Sequence, residues 1–161
     1  MAWEYLEQEV MDERYKIASE FIGDYDKVVD VDSGNSRLRN YVKHYYSNDL
    51  NYVEADVKCT DDEFVDMVKE CDVLCCFGIG GHEIIQEPLE SPTLTQSLVR
   101  LAMKHHPHTM ILECIDQFVP VVESILKQTG YKVDTHIKKT YNADVPQHLQ
   151  YVMERNLFIC K

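Results

Sequence analysis

The chain is poor in glycine, with six in 161 residues, and it holds a single tryptophan. No G-x-G-x-x-G stretch occurs, which removes the usual dinucleotide fingerprint. No apolar run approaches the ~18 residues of a membrane span, so no membrane segment is expected. No pair among the six cysteines has C-x-x-C or zinc-ribbon spacing. Cys75, Cys76, Cys114 and Cys160 instead fall inside apolar runs, where a free thiol behaves as a small hydrophobe. A reduced, cytoplasmic setting is the expectation. Residues 1–7 have neither the basic region nor the apolar core of a signal peptide. Positive charge is short as well: 16 Lys and Arg stand against 28 Asp and Glu, a formal net charge of −12. A surface of that sign repels phosphate backbones, so composition does not favour a nucleic-acid partner, although a local basic patch can survive within it.

What is present is the material of one ordinary folded domain over residues 1–161. Hydrophobic residues make up 45% and charged residues 27%, and no repeat or linker divides the chain. Trp3, Leu6, Val10, Ile17 and Phe21 recur at helical spacing, predicting an amphipathic helix over 3–22 that Gly23 ends. Residues 27–32 (KVVDVD) read as a strand, followed by a sharp turn at Ser33-Gly34-Asn35. Leu38, Tyr41, Val42 and Tyr45 predict a helix over 36–46, and residues 50–56 (LNYVEAD) a second strand. An acidic helix start at Thr60-Asp61-Asp62-Glu63 leads to Phe64, Met67 and Val68. Residues 72–77 (DVLCCF) are too continuously apolar for a wet face, which predicts a central strand. Cys75 and Cys76, being adjacent on it, should face opposite sides.

Beyond Gly78-Ile79-Gly80-Gly81, helices are expected over 93–104 and 117–129, the latter closed by Gly130, with a strand over 109–115 between them. Residues 131–137 and 151–159 alternate apolar and polar and read as an antiparallel hairpin. The order is a helix, then strand–helix units, then a hairpin. It predicts a sheet of about six strands with a parallel core and helices on both faces.

That order, together with Val28-Val29-Asp30-Val31-Asp32-Ser33-Gly34-Asn35-Ser36, resembles the class I S-adenosylmethionine-dependent methyltransferases, with a Rossmann-like open sheet. The family's first motif has an acid late in the first strand and then glycines at alternate positions, which let backbone approach the cofactor. Asp30 and Gly34 match, while Asp32 and Ser36 occupy places where glycine is usual. Tyr52-Val53-Glu54-Ala55-Asp56 resembles the strand whose terminal acid lies near the adenine. Gly78-Ile79-Gly80-Gly81 is similar to the loop of bacterial-type tRNA adenine-N1 methyltransferases. The family pattern has one more strand–helix unit between the first motif and that acid than the sequence reading supplies. It therefore leaves open whether Glu54 or Asp56 clasps the ribose or lies at the adenine.

The resemblance implies S-adenosylmethionine as a small-molecule cofactor, held by Asp30, Asp32, Ser33, Gly34, Asn35, Glu54, Asp56, Gly78 and Gly80. His82 and Glu83, directly after the glycine loop, are the candidate catalytic pair, an imidazole beside a carboxylate. His82-Glu83-Ile84-Ile85-Gln86 is not H-E-x-x-H, so no metal is expected there. His105-His106-Pro107-His108 reads as a connector, and Tyr141-Asn142-Ala143-Asp144-Val145-Pro146 as turn chemistry that the resemblance places near the substrate. The acceptor is not identified. A non-catalytic binding or assembly module of the same fold, working through a protein partner, is the alternative.

Overall fold

The computed structural model describes residues 8–31, 37–47, 61–79 and 92–161. Val28 and Val29 are β-branched and fit a pleated surface better than a helix; they lie in the first strand, β1 (Lys27–Asp30). Five further strands follow among the described residues: β2 (His44–Ser47), β3 (Val73–Cys76), β4 (Thr109–Cys114), β5 (Val133–Thr140) and β6 (Glu154–Cys160). The helices among the described residues are α1 (Glu13–Ser19), α2 (Asp61–Met67), α3 (Pro92–His105) and α4 (Val119–Thr129), with short 3-10 turns at Glu9–Asp12, Arg37–Tyr41, Asp116–Phe118 and Gln147–Met153.

The six strands form one sheet in the order β2-β1-β3-β4-β6-β5. β2, β1, β3 and β4 run parallel, and β6 lies antiparallel to both β4 and β5. This is the expected parallel core with an antiparallel hairpin. The alternation of side chains splits the interior in two. On one face, Val29, Leu74, Cys76, Met110 and Leu112 pack under α2, α3 and α4 through Phe64, Leu98, Leu101 and Ile125. On the other, Val28, Val73, Cys75, Ile111 and Ile159 meet Tyr15, Ala18 and Leu38. Cys75 and Cys76 do face opposite sides. Gly130 closes α4 in the left-handed conformation (φ 82°), its N–H donating to the Leu126 carbonyl at 2.8 Å.

Among the described residues one element differs in kind from its sequence expectation. In place of a helix over 36–46 there is a 3-10 turn at Arg37–Tyr41 and then strand β2, paired with β1 from Lys27↔His44 to Asp30↔Ser47. The helical spacing of Leu38, Tyr41, Val42 and Tyr45 is real, since all four pack into the same core cluster, but they reach it from two kinds of backbone. The residue types explain the switch: Tyr45 and Tyr46 are aromatic neighbours that favour a strand. Tyr46 stacks on Phe64 on the opposite face from Tyr45, with ring centroids 5.2 Å apart. β2 is the strand that the sequence reading lacked between the first motif and the segment carrying Glu54 and Asp56, which itself lies outside the described residues. Smaller differences occur at the ends. Residues 147–153 form a 3-10 turn, so β6 begins at Glu154, and α1 starts at Glu13 after the turn at Glu9–Asp12.

The described cysteines are free and buried. Burial pushes the Cys71, Cys114 and Cys160 thiols up to about 12, and Cys75, beside the Asp30 carboxylate, well above its ordinary value. Since the thiolate is the reactive species, a Cys59→Ser protein is expected to react with a thiol reagent at pH 8 on the order of a hundredfold more slowly when native than when unfolded. Labelling followed by mass spectrometry measures this, and rapid modification of native Cys75 or Cys114 would contradict it.

Candidate functional site

Open parallel sheets place ligands beyond the carboxyl ends of their strands, at the point where the strand order reverses, because neighbouring connections leave in opposite directions there and open a crevice. In this sheet the chain runs outward from β1 to β2 and then crosses back to β3 on the other side of β1. The crevice therefore falls between the ends of β1 and β3.

Asp30 closes β1 and pairs in register with Cys75. The ladder extends one residue further, through a 2.9 Å bond from the Val31 N–H to the Cys75 carbonyl. The Asp30 side chain is buried, and its Oδ2 accepts the Tyr45 hydroxyl at 2.6 Å. That bond fixes the carboxylate against the neighbouring strand.

β3 delivers Phe77 and Gly78. Gly78 has φ +80°, a conformation in which a side chain is strained, and the position of its absent Cβ lies 3.6 Å from Arg155 Nη2. The N–H groups of Gly78 and Ile79 both donate to the Glu113 carbonyl, at 3.1 and 2.9 Å. They are thus committed to β4.

Behind this turn is a charge cluster that the sequence reading missed. Glu113 is fully buried near the end of β4. Its Oε1 accepts from Arg14 Nη1 at 2.7 Å and Arg155 Nε at 3.1 Å, and Arg155 Nη2 lies 2.9 Å away. Among the described residues Oε2 has no hydrogen-bond partner. Arg14 continues through Nη2 to the Tyr15 hydroxyl at 2.7 Å, and its guanidinium stacks over the Tyr15 ring at 4.6 Å. Tyr15 in turn meets the Phe77 ring edge-on at 4.9 Å.

Burial lowers the pKa of both arginines, but for Arg14 the adjacent Glu113 carboxylate more than offsets it. For Arg155, burial and the charge of Arg14 together prevail, so its pKa is lowered. Guanidinium groups stay protonated in proteins, so two cations share one anion and the cluster carries a net positive charge behind the β3 turn. Burial also pushes the Tyr15 phenol up to about 12, so it stays a neutral acceptor for Arg14. A second buried carboxylate, Asp12, accepts from Arg37 Nη2 at 2.8 Å and the Tyr41 hydroxyl at 3.0 Å. It fastens the turn that precedes β2 onto the N-terminal turn.

The structure thus brings Asp30 and Gly78 to the two sides of the crevice. Asp32, Ser33, Gly34, Asn35, Glu54, Asp56, Gly80, His82 and Glu83 lie outside the described residues. His108 spans the amino edge of the sheet, where its Nε2 lies 2.9 Å from Asp26, and among the described residues no group of His, Cys, Asp and Glu could hold a metal. Tyr141 and Ala143 are buried with Met11, Val152 and Met153 in a small separate cluster.

No protein-family model matches the sequence, and no curated protein matches it either. Solved structures do. Precorrin-8w decarboxylase of Methanobacterium thermoautotrophicum is 14% identical with a TM-score of 0.62, over 92% of this chain and 89% of that one. Magnesium protoporphyrin IX methyltransferase of Synechocystis, with S-adenosylmethionine bound, is 10% identical with a TM-score of 0.61, over 94% and 79%. A tRNA (m1A22) methyltransferase homologue of Streptococcus pneumoniae, in complex with S-adenosyl-L-methionine, is 14% identical with a TM-score of 0.60, over 92% and 72%. The chain has the fold of the class I S-adenosylmethionine-dependent methyltransferases.

Proposed function

We infer that this chain, as one domain, binds S-adenosylmethionine in the crevice between β1 and β3 and transfers its methyl group to an acceptor. The observation that carries the inference is the placement of Asp30 and Gly78 on the two sides of the strand-order reversal. Two similar structures contain this cofactor. Asp30, a fixed acceptor, and Gly78, which leaves backbone accessible, fit such a ligand. Asp32, Ser33, Gly34 and Asn35 would complete the β1 side, Glu54 or Asp56 the side reached after β2, and Gly80 the β3 side. His82 and Glu83 would face the acceptor. The bound cofactor supplies an activated methyl group. The protein's share is to hold donor and acceptor in line, which by itself can account for much of a rate enhancement.

The test is thermal denaturation with S-adenosylhomocysteine. A ligand that binds the native state raises the melting temperature by mass action. Gly34→Val is expected to abolish that rise while leaving a folded protein. Asp32→Gly, by removing an anion beside the cofactor carboxylate, is expected to tighten binding about tenfold, equivalent to roughly 1.4 kcal/mol. No rise at millimolar ligand would reject the inference.

A second reading, a non-catalytic binding module of the same fold, is favoured by one observation. The described N–H groups of the glycine turn are already used by Glu113. Binding without methyl transfer to any acceptor would support it.

A further inference from the structure

The amino edge of the sheet carries a feature that the crevice does not use. A cavity of about 840 Å³ opens at the start of β1 and β2, and among the described residues its charged lining is Lys27, Arg39, Lys43, His44, Lys69 and Glu70. Four Lys and Arg against one Glu is the reverse of the chain's overall balance of −12. These cations come from three separate stretches: the first residue of β1, the segment leading into β2, and the residues just after α2. Lys69 follows a helix C-terminus, where a cation is ordinarily stabilising. That accounts for Lys69 and not for its convergence with Lys27 and Lys43 on one concavity.

The like charges of Lys27, Lys43 and Lys69 around one cavity repel one another unless an anion joins them. At physiological ionic strength, charges beyond ~8 Å are largely screened, so the local lining outweighs the acidic surface elsewhere. The volume falls in the range of small-molecule sites, roughly 300–1,000 Å³. Parallel pairing puts Lys27 and His44 at the opposite ends of their strands from Asp30 and Ser47. With about 3.3 Å per residue, the two edges are separated by about 10 Å. The cavity is therefore distinct from the proposed cofactor crevice.

We propose that this cavity binds a multiply charged phosphate ester, its phosphates neutralised by Lys27, Lys43 and Lys69. A free nucleotide and the backbone of a single-stranded oligonucleotide both present this chemistry. The experiment is fluorescence anisotropy with a labelled single-stranded oligoribonucleotide at low salt, with ATP and poly-L-glutamate as competitors. It compares wild type with Lys43→Glu/Lys69→Glu. Both lysines are exposed, so the variant is expected to keep its circular dichroism and its response to S-adenosylhomocysteine. A neutral Lys43→Gln/Lys69→Gln pair guards against misfolding of the charge reversal.

The expected result is binding that weakens at least tenfold on charge reversal and less on neutralisation. The slope of log affinity against log salt should fall by about 1.4, at roughly 0.7 for each phosphate no longer neutralised. Displacement by ATP would identify a compact nucleotide as the ligand, and binding that ATP does not displace would identify the strand backbone. Absence of oligonucleotide binding, binding indifferent to both variants, or displacement by poly-L-glutamate as effective as by ATP would overturn the proposal. None of these outcomes depends on whether S-adenosylhomocysteine binds.

Discussion

Replacing Glu113 by alanine is expected to cost about 3–5 kcal/mol of folding stability, because it leaves two buried guanidinium groups facing each other without their shared anion. Arg14 and Arg155 are both about 95% buried and converge on the same Glu113 oxygen. Water cannot readily replace the lost carboxylate. Set against a typical total of 5–15 kcal/mol, the loss is a large fraction of the whole. For a chain of this size it corresponds to a fall in melting temperature of about 10 °C. Chemical denaturation of wild type and variant measures it. A loss below about 1 kcal/mol would mean that water reaches the cluster and that its charges are solvated. Replacing all three members together by apolar residues of similar volume is expected to be far milder than the single change, since no ion is then left unpaired.

Leu74→Ala is expected to cost about 2–5 kcal/mol, the usual range for a cavity opened in a packed core. Leu74 sits in the middle of β3, between β1 and β4, and is fully buried with Leu98 and Leu101 in the three-helix face of the interior. Neighbours on both flanks and above leave little room for collapse into the space. By contrast Val133, at the edge strand and 46% exposed, should tolerate alanine with a change within about 0.5 kcal/mol. Equilibrium denaturation of the two variants side by side tests the placement of β3 at the sheet centre. Equal losses would refute it.

The difference between these residues could be read from the sequence, because DVLCCF is apolar at nearly every position and only a strand covered on both faces has that pattern. The same kind of signal located β1, β4, the helices α3 and α4 and the terminal hairpin, all of which depend on periodicity within a dozen residues. β2 was concealed by a coincidence: a 3-10 turn followed by a strand put Leu38, Tyr41, Val42 and Tyr45 on one side, as a helix would. Two adjacent tyrosines were the available sign of a strand.

The placement of Asp30 and Gly78 at strand ends was legible because the backbone chemistry of strand ends is local. The Arg14–Glu113–Arg155 cluster was not, since its members are separated by 99 and 42 residues and have no common period. The faint trace it left was a glutamate inside the apolar run TMILEC and an arginine that shares the parity of Leu157 and Ile159 in β6. The cationic cavity was hidden for the same reason, its lysines being diluted in the acidic composition of the whole.

The position of β6 has a further consequence during synthesis. It is inserted between β4 and β5, yet it begins 40 residues after β4 ends. At roughly 5–20 residues per second, a ribosome leaves one flank of β4 without its ladder partner for about 2–8 s. A strand of six residues, five of them apolar or β-branched, is prone in that interval to pair with another chain. The Glu113 carboxylate interrupts the run, and an inward-pointing charge on an open edge deters such pairing. Arg155, arriving with β6, then joins Arg14 at the same Glu113 oxygen as the sheet closes. The same side chain thus guards the nascent strand against aggregation and becomes, once its partner emerges, the anchor of the finished one.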